Sequence, residues 1–237
     1  MLTLYHGCPD ERRAHAALRE GLKPRTRPEP TDQVARDLAP LPGRVYFSQD
    51  RRTAIDYARI YARLDWDREV QDGSRGVLFE VSASLDDDLR ADEDDLGEAV
   101  TVALLGLTRR DVPILDQGNR HVTRAVVADE TLAGDLIAAA RAHAPAALVD
   151  ALAGMRLADP RGDLISRLGK RLVRTPETNA LQRRLIALKA NVSLPAPVCP
   201  ARAYAISRDG LSPGILRSDL LTPWPESRQS DLLGMRI

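Results

Sequence analysis

The chain is poor in cysteine, in net charge and in long apolar stretches. Its only cysteines, Cys8 and Cys199, form no metal-ligand pattern, so we expect two reduced thiols in a cytoplasmic protein without a metal site. The 34 basic side chains equal the 34 acidic ones, which gives no global argument for binding nucleic acid or an anionic membrane. The apolar runs are too short to span a bilayer, and we expect neither a signal peptide nor a membrane partner.

Aromatic residues are also scarce, at 4% of the 237 residues. Two of the five tyrosines nevertheless lie close together, Tyr46 in a short apolar run and Tyr57 in a segment with helical spacing. Each of them alone is more often a core residue. Together they suggest a flat slot, because two phenol rings can enclose a planar ligand.

The order of predicted elements indicates an α+β domain with a mostly antiparallel sheet. Apolar runs predict strands at 2–6, 44–48 and 75–85, and a hairpin at 112–128. Helical periodicity predicts helices from 9 to 20 and from about 50 onward, and two mostly helical stretches at 131–157 and 161–190. The proline-rich residues 23–43 predict a long loop, and residues 191–207 return to strand character.

Two charged stretches are expected to be solvated. Residues 85–98, "LDDDLRADEDDLGE", predict an exposed acidic loop that leads into a helix. Residues 161–189 hold eight basic and two acidic side chains; we expect a solvated helix face here, with phosphate binding as the alternative.

Two short motifs resemble the ADP-ribosyltransferase fold of the poly-ADP-ribose polymerase and diphtheria-toxin group. They are "LYHG" at residues 4–7 and "GRVYFSQDRRTAIDYA" at residues 43–58. In that group, a first strand carries His-Gly, and a second strand with a tyrosine leads into a helix that bears another tyrosine. The resemblance implies a split antiparallel sheet with a helical insertion or C-terminal helical block, and NAD as the substrate.

The resemblance also implies roles for individual residues. His6 would hold the 2′-hydroxyl of the nicotinamide ribose, and the Gly7 backbone would pair with the carboxamide. Tyr46 and Tyr57 would stack on the nicotinamide ring, with His6 and Tyr46 as the catalytic pair. The family's carboxamide-binding serine corresponds to Ala54, next to Thr53.

The family's third motif, a glutamate on a later strand, has no obvious equivalent. One alignment uses "GNRHVT" at 118–123 and places Asn119 and Arg120 near the glutamate position. The other uses "NVSLPAPVCP" at 191–200 and places Asn191 there. Glu80 lies on the predicted middle strand, where we expect it to face solvent.

These features predict a core at 1–130, a helical block at 131–190, and a closing strand with an irregular tail at 191–237. The leading functional hypothesis is an NAD-dependent mono-ADP-ribosyltransferase or NAD-cleaving enzyme that acts on a protein or nucleic acid, in a toxin, phage or defence setting. One alternative is a non-catalytic module that binds NAD, ADP-ribose or a protein. The other is an NAD-dependent RNA 2′-phosphotransferase, which usually has histidine where this chain has Tyr46; it is supported by the arginines at 12, 13, 25, 27 and 120.

Overall fold

A computed structural model of the chain describes residues 1–8, 11–24, 33–64, 76–85, 87–108, 110–111, 120–156, 161–206 and 221–223. In this part of the chain the strands are β1 (Leu2–Cys8), β2 (Arg44–Phe47), β3 (Val77–Ala83), β4 (Arg90–Ala91), β5 (Val192–Pro195), β6 (Arg202–Ile206) and β7 (Leu221–Pro223). The helices are α1 (Glu11–Glu20), α2 (Gln33–Leu38), α3 (Arg51–Leu64), α4 (Glu93–Leu104), α5 (Arg120–Ala128), α6 (Glu130–His143), α7 (Ala146–Ala153), α8 (Gly162–Val173) and α9 (Asn179–Ala187). The strands form two small antiparallel sheets, in the orders β1-β3-β6-β7 and β2-β5-β4, so the predicted α+β class is confirmed.

The chain divides into two compact units by its internal contacts. Unit 1 comprises Met1–Pro24, Gly43–Leu89 and Leu194–Ile237, and unit 2 comprises Arg25–Pro42 and Arg90–Ser193. Unit 1 is therefore assembled from three separate chain segments, whereas most of unit 2 is one continuous segment. This division assigns residues 90–130 to the same unit as the predicted helical block.

The sheet of unit 1 combines strands from the beginning and from the end of the sequence. Strand β1 pairs antiparallel with β3 from Leu2 opposite Ala83 to Cys8 opposite Val77. Strand β6, more than a hundred residues later, pairs with the other edge of β3 from Val77 opposite Ala205 to Glu80 opposite Arg202. A late strand thus belongs to the sheet that carries β1. It is β6, whereas the stretch "NVSLPAPVCP" contains β5, which lies in the other sheet.

Helix α3 packs against β1 at Gly7. A Cβ atom on Gly7 would lie 2.0 Å from the carbonyl oxygen of Ala54 and 2.9 Å from the Cβ of Ala58, so only glycine allows this close approach. Ala54, Ile55 and Ala58 are buried there, in a cluster that includes Leu78. The apolar spacing along α3 therefore places one face of the helix on the sheet.

Unit 2 is helical, and its core forms where α4 and α8 cross. Gly97 and Gly169 make the crossing close, because a Cβ on Gly97 would lie 2.1 Å from the carbonyl oxygen of Ile165, and one on Gly169 would lie 1.7 Å from that of Glu93. The fully buried leucines around this crossing come from four helices: Leu96, Leu132, Leu136, Leu152, Leu168 and Leu172. The helical character predicted for 131–157 and 161–190 is confirmed by α6, α7, α8 and α9.

The start of α4 corrects the prediction that residues 85–98 are solvated. Glu93 and Asp95 are buried, and both accept hydrogen bonds from backbone groups far away in the sequence. The N–H of Leu41 donates to Glu93 Oε1 at 3.2 Å, and the N–H of Asn191 donates to Asp95 Oδ2 at 2.6 Å. Asp92 caps the helix by accepting from the N–H of Asp94 at 2.8 Å. These carboxylates are structural, because buried backbone N–H groups need acceptors.

Two further predictions of secondary structure are wrong. The predicted hairpin at 112–128 is helix α5 from Arg120 onward, with Val122 and Val126 buried at i, i+4 spacing; residues 112–119 lie outside the described part. The loop predicted for 23–43 contains helix α2, and its residues 25–32 also lie outside the description.

Within the described residues, no helix has both the length and the apolar character needed to cross a membrane.

Candidate functional site

His6 and Tyr46 come together through a direct hydrogen bond. The Nδ1 atom of His6 lies 2.8 Å from the carbonyl oxygen of Tyr46, and the imidazole meets the ring of Phe47 edge-on, with centroids 5.7 Å apart. A carbonyl oxygen can only accept, so Nδ1 carries the proton, and Nε2 of the neutral ring is left as an acceptor. Burial lowers the pKa of His6, while the hydrogen bond to Tyr46 raises it by a smaller amount. The imidazole is therefore neutral at pH 7.

Gly7 turns its backbone groups towards β2. Tyr5 exchanges both of its backbone hydrogen bonds with Ser48, at 2.8 and 2.9 Å, in an antiparallel bridge. Since alternate residues of an antiparallel strand face the same neighbour, the N–H and C=O of Gly7 point in the same direction as those of Tyr5. The missing side chain of Gly7 leaves room for α3, and the backbone edge of Gly7 faces the second motif.

The two tyrosines of the second motif are not core residues. Tyr46 is half-buried in β2, and 46% of Tyr57 is exposed, so Tyr57 is not the core residue that a tyrosine taken alone more often is. Tyr57 follows Ala54 by three positions, so it lies about one helical turn from the contact between α3 and Gly7. The hydrogen bond in unit 1 thus joins His6 to Tyr46. Helix α3, which bears Tyr57, packs on the face of β1 towards which a Cβ of Gly7 would point, opposite to the side chain of His6.

Ala54 and Thr53 lie at the start of α3, where the resemblance would place a serine. Ala54 is buried, with its carbonyl against Gly7. The hydroxyl of the neighbouring Thr53 lies 3.1 Å from Asp50 Oδ2, and Asp50 also accepts from the N–H of Arg52 at 3.0 Å. Thr53 is therefore part of the hydrogen-bonded start of α3.

Glu80 is held in a cluster of ion pairs, contrary to the expectation that it faces solvent. Only 13% of its side chain is exposed; Arg202 lies at 3.6 Å, Arg51 at 4.0 Å, and the hydroxyl of Tyr204 donates at 3.3 Å. The guanidinium of Arg51 also lies 5.3 Å from the ring centroid of Tyr5 and 5.7 Å from that of Tyr204.

Glu80 also lies on the opposite face of the sheet from His6. It is paired with Tyr5, whereas the neighbouring His6 is paired with Phe79, and successive side chains of a strand point to opposite faces. Glu80 therefore does not supply a carboxylate on the face of His6.

The candidates for the third motif lie in unit 2. Arg120 is the first residue of α5, so the strand predicted for "GNRHVT" is wrong there, and Asn119 lies outside the described residues. Asn191 is buried just before β5, and its side-chain amide lies 3.4 Å from Asp95 Oδ1. For the arginines of the phosphotransferase hypothesis, positions 25 and 27 and the side chains at 12 and 13 also lie outside the description.

No group of three or more histidine, cysteine or carboxylate side chains in the described ranges could hold a metal ion. Cys8 is buried and Cys199 is exposed, and the two do not form a disulfide bond. Comparisons of the chain with protein-family models, with curated proteins and with solved structures give no match.

Proposed function

We propose that unit 1 binds NAD through His6, Gly7, Tyr46 and Tyr57, and that the chain transfers ADP-ribose to a macromolecule or cleaves NAD. The observation that carries the proposal is the hydrogen bond between His6 Nδ1 and the carbonyl of Tyr46. This bond joins the two motifs that resemble the ADP-ribosyltransferase group, and it fixes the tautomer that the proposed role of His6 needs.

His6 would act as an acceptor for a ribose hydroxyl. With Nδ1 committed to Tyr46, Nε2 has a lone pair that can accept a hydrogen bond from the 2′-hydroxyl of the nicotinamide ribose. Cleavage of the bond between nicotinamide and ribose passes through a state with positive charge on the sugar. A neutral imidazole adds no like charge there, which agrees with the pKa of His6 being lowered by burial.

Gly7 and the two tyrosines would bind the nicotinamide. An N–H and a C=O on the same strand edge match the donor and acceptor of a carboxamide, and Gly7 turns both towards β2. The aromatic faces of Tyr46 and Tyr57 would enclose the ring, and the exposure of Tyr57 is compatible with a surface that a ligand covers.

A non-catalytic NAD- or ADP-ribose-binding module is the second candidate, favoured by the position of Glu80. This carboxylate lies on the other face of the sheet from His6 and is engaged by Arg202 and Arg51. A site without a carboxylate near the ribose would bind NAD but would lack stabilisation for the positive charge that develops during cleavage.

The binding half of the proposal is tested by calorimetric titration of NAD into Tyr46→Ala and Tyr57→Ala. We expect each substitution to weaken binding by roughly 1–3 kcal/mol, from lost stacking and buried aromatic area. Leu85→Ala is the control, because Leu85 is also 46% exposed and lies in the same unit. If both tyrosine variants melt like the parent and bind NAD equally well, the proposed slot is wrong.

The catalytic half is tested with labelled NAD and a cell lysate. We expect nicotinamide release, or transfer of label, that His6→Ala abolishes, because the ribose is then no longer oriented for bond cleavage. His121→Ala, a change at an exposed histidine of α5, is the control. Saturable NAD binding without nicotinamide release or label transfer would instead identify a binding module.

A further inference from the structure

Unit 2 contains a basic groove beside helices α2 and α8. It has a volume of about 720 Å³, and we call it the α2–α8 groove. Its lining includes five basic side chains: Arg36, Arg167, Lys170, Arg171 and Arg174. The remaining wall is mainly small and apolar, with Pro40, Pro42 and Pro176.

The basic side chains of α8 form one row along the helix. Residues 167, 170, 171 and 174 follow the i, i+3, i+4, i+7 spacing, which places them on one helix face. From the first to the last, the row extends about 10 Å along the helix axis. Four of the eight basic residues between 161 and 189 therefore lie on one face of α8.

Only part of this positive charge is neutralised inside the groove. Arg167 donates to the carboxylate of Asp37 through Nε at 2.9 Å and also through Nη2. The ammonium of Lys170 contacts the carbonyls of Arg36 and Asp37, at the C-terminal end of α2. Once Asp37 is paired with Arg167, Glu177 is the other acidic lining residue, and it faces the cations Lys170, Arg171 and Arg174.

Arg171 and Arg174 make contacts that do not neutralise their positive charge. Arg171 donates through Nε to the carbonyl of His143 at 3.0 Å, a neutral partner that leaves its terminal nitrogens available for further contacts. Arg174 is exposed at the end of α8, where its backbone N–H donates to the carbonyls of Leu172 and Lys170. Guanidinium groups at such positions suit the oxygens of a phosphate, which they can contact in pairs.

We propose that the α2–α8 groove binds a small molecule that carries a phosphate or diphosphate group. Its volume is in the range of small-molecule sites, and its excess of cations fits a doubly or triply charged anion. A nucleic-acid strand fits less well, because the groove's lining contains no aromatic side chain for stacking and the whole chain has a formal net charge of zero. The proposal is independent of the NAD site proposed in unit 1.

The test is a calorimetric titration of the full chain with sodium pyrophosphate, in buffer free of other phosphate. We expect saturable binding of one pyrophosphate per chain, tighter than that of inorganic phosphate. Arg174→Gln should weaken binding about five- to tenfold, the loss expected for one charge-assisted contact in a partly exposed site. Arg183→Gln removes the same charge from an exposed position on α9 outside the groove, and it should change the dissociation constant by less than about twofold.

Three results would overturn the proposal. One is the absence of saturable pyrophosphate binding, and another is equal weakening by Arg174→Gln and Arg183→Gln. The third is a single-stranded oligonucleotide that binds more tightly than pyrophosphate, with a salt dependence that corresponds to several phosphate contacts, because the groove would then belong to a nucleic-acid site. Pyrophosphate contains neither nicotinamide nor ribose, so none of these results decides the function proposed for unit 1.

Discussion

The two units of the chain use polar groups in different ways. In unit 1, Nδ1 of His6 is hydrogen-bonded to the carbonyl of Tyr46, which leaves Nε2 as an acceptor for a ligand. In unit 2, Glu93 and Asp95 are buried and accept hydrogen bonds from distant backbone N–H groups. The same kind of sequence pattern, polar residues next to apolar ones, thus occurs at a candidate site in one unit and at structural hydrogen bonds in the other.

We expect the largest effect when the chain is truncated, because unit 1 should then fail to fold. A fragment of residues 1–130 lacks β6, so the edge of β3 that pairs with Ala203 and Arg202 would be exposed. We expect this fragment to be insoluble or to lack a cooperative melting transition, as measured by circular dichroism. A soluble fragment that melts cooperatively and binds NAD would show that the late strand is dispensable.

The next largest effect concerns the close helix crossing in unit 2. In Gly169→Ala, the new methyl group would lie 1.7 Å from the carbonyl oxygen of Glu93, so α4 and α8 must move apart. We expect a loss of about 3 kcal/mol or more in the free energy of unfolding, measured by urea denaturation.

Gly134→Ala is the matched control for the helix crossing. Gly134 is also in a helix, but its added methyl group meets nothing within 4 Å, so we expect a gain of roughly 0.5–1 kcal/mol from helix propensity. Equal effects of the two substitutions would mean that α4 and α8 do not cross as closely as described.

A smaller effect separates the two kinds of carboxylate at the start of α4. Asp95→Ala leaves the buried N–H of Asn191 without its acceptor, which should cost about 1–3 kcal/mol of unfolding free energy. The exposed neighbour Asp94 is the control, and Asp94→Ala should cost less than about 1 kcal/mol, from its interaction with the helix dipole. Equal losses in urea denaturation would contradict a structural role for Asp95.

The smallest expected effect is the pH dependence that comes from His6. Its pKa is lower in the folded chain than the ordinary value of 6.5, so the unfolded chain binds more protons between these two values. Stability should therefore fall as the pH drops through 6.5 towards the folded pKa, and change no further from this source below it.

His6→Asn isolates that contribution, because the asparagine amide keeps a donor for the carbonyl of Tyr46 but does not titrate. The decline between pH 7 and pH 5 in urea denaturation should be shallower in this variant than in the parent. His121→Asn, at an exposed histidine, is the control. A parent and a His6→Asn variant with parallel pH profiles would show that His6 is not desolvated in the folded chain.

Features that depend on neighbouring residues were predicted from the sequence, and features that depend on distant partners were not. The strand that carries His6 and the helix that carries Tyr57 are encoded by neighbouring residues, and both were predicted. The burial of Asp95 depends on Asn191, 96 positions away, and that of Glu93 on Leu41, 52 positions away. Nothing near either acid indicates its distant partner, so the acidic stretch was interpreted as solvated.

Two other errors have local causes. Val122 and Val126 belong to a segment rich in β-branched residues, which favour strands, but their four-residue spacing is also that of one helix face, and packing decided for the helix. The basic row on α8 could be predicted from its spacing alone. The groove beside it could not be predicted, because α2 lies in a proline-rich segment that was interpreted as a loop.

The three-segment construction of unit 1 has a consequence for its synthesis on the ribosome. Most of unit 2 lies between residues 90 and 193, so its helices can pair as soon as that stretch has emerged. Strand β3 must wait for β6, whose first residue follows the last residue of β3 by more than a hundred positions. At about 5–20 residues per second, this delay is several seconds or more. During that time the nascent chain has one edge of β3 unpaired, and a slower ribosome would prolong its exposure to aggregation and to chaperones.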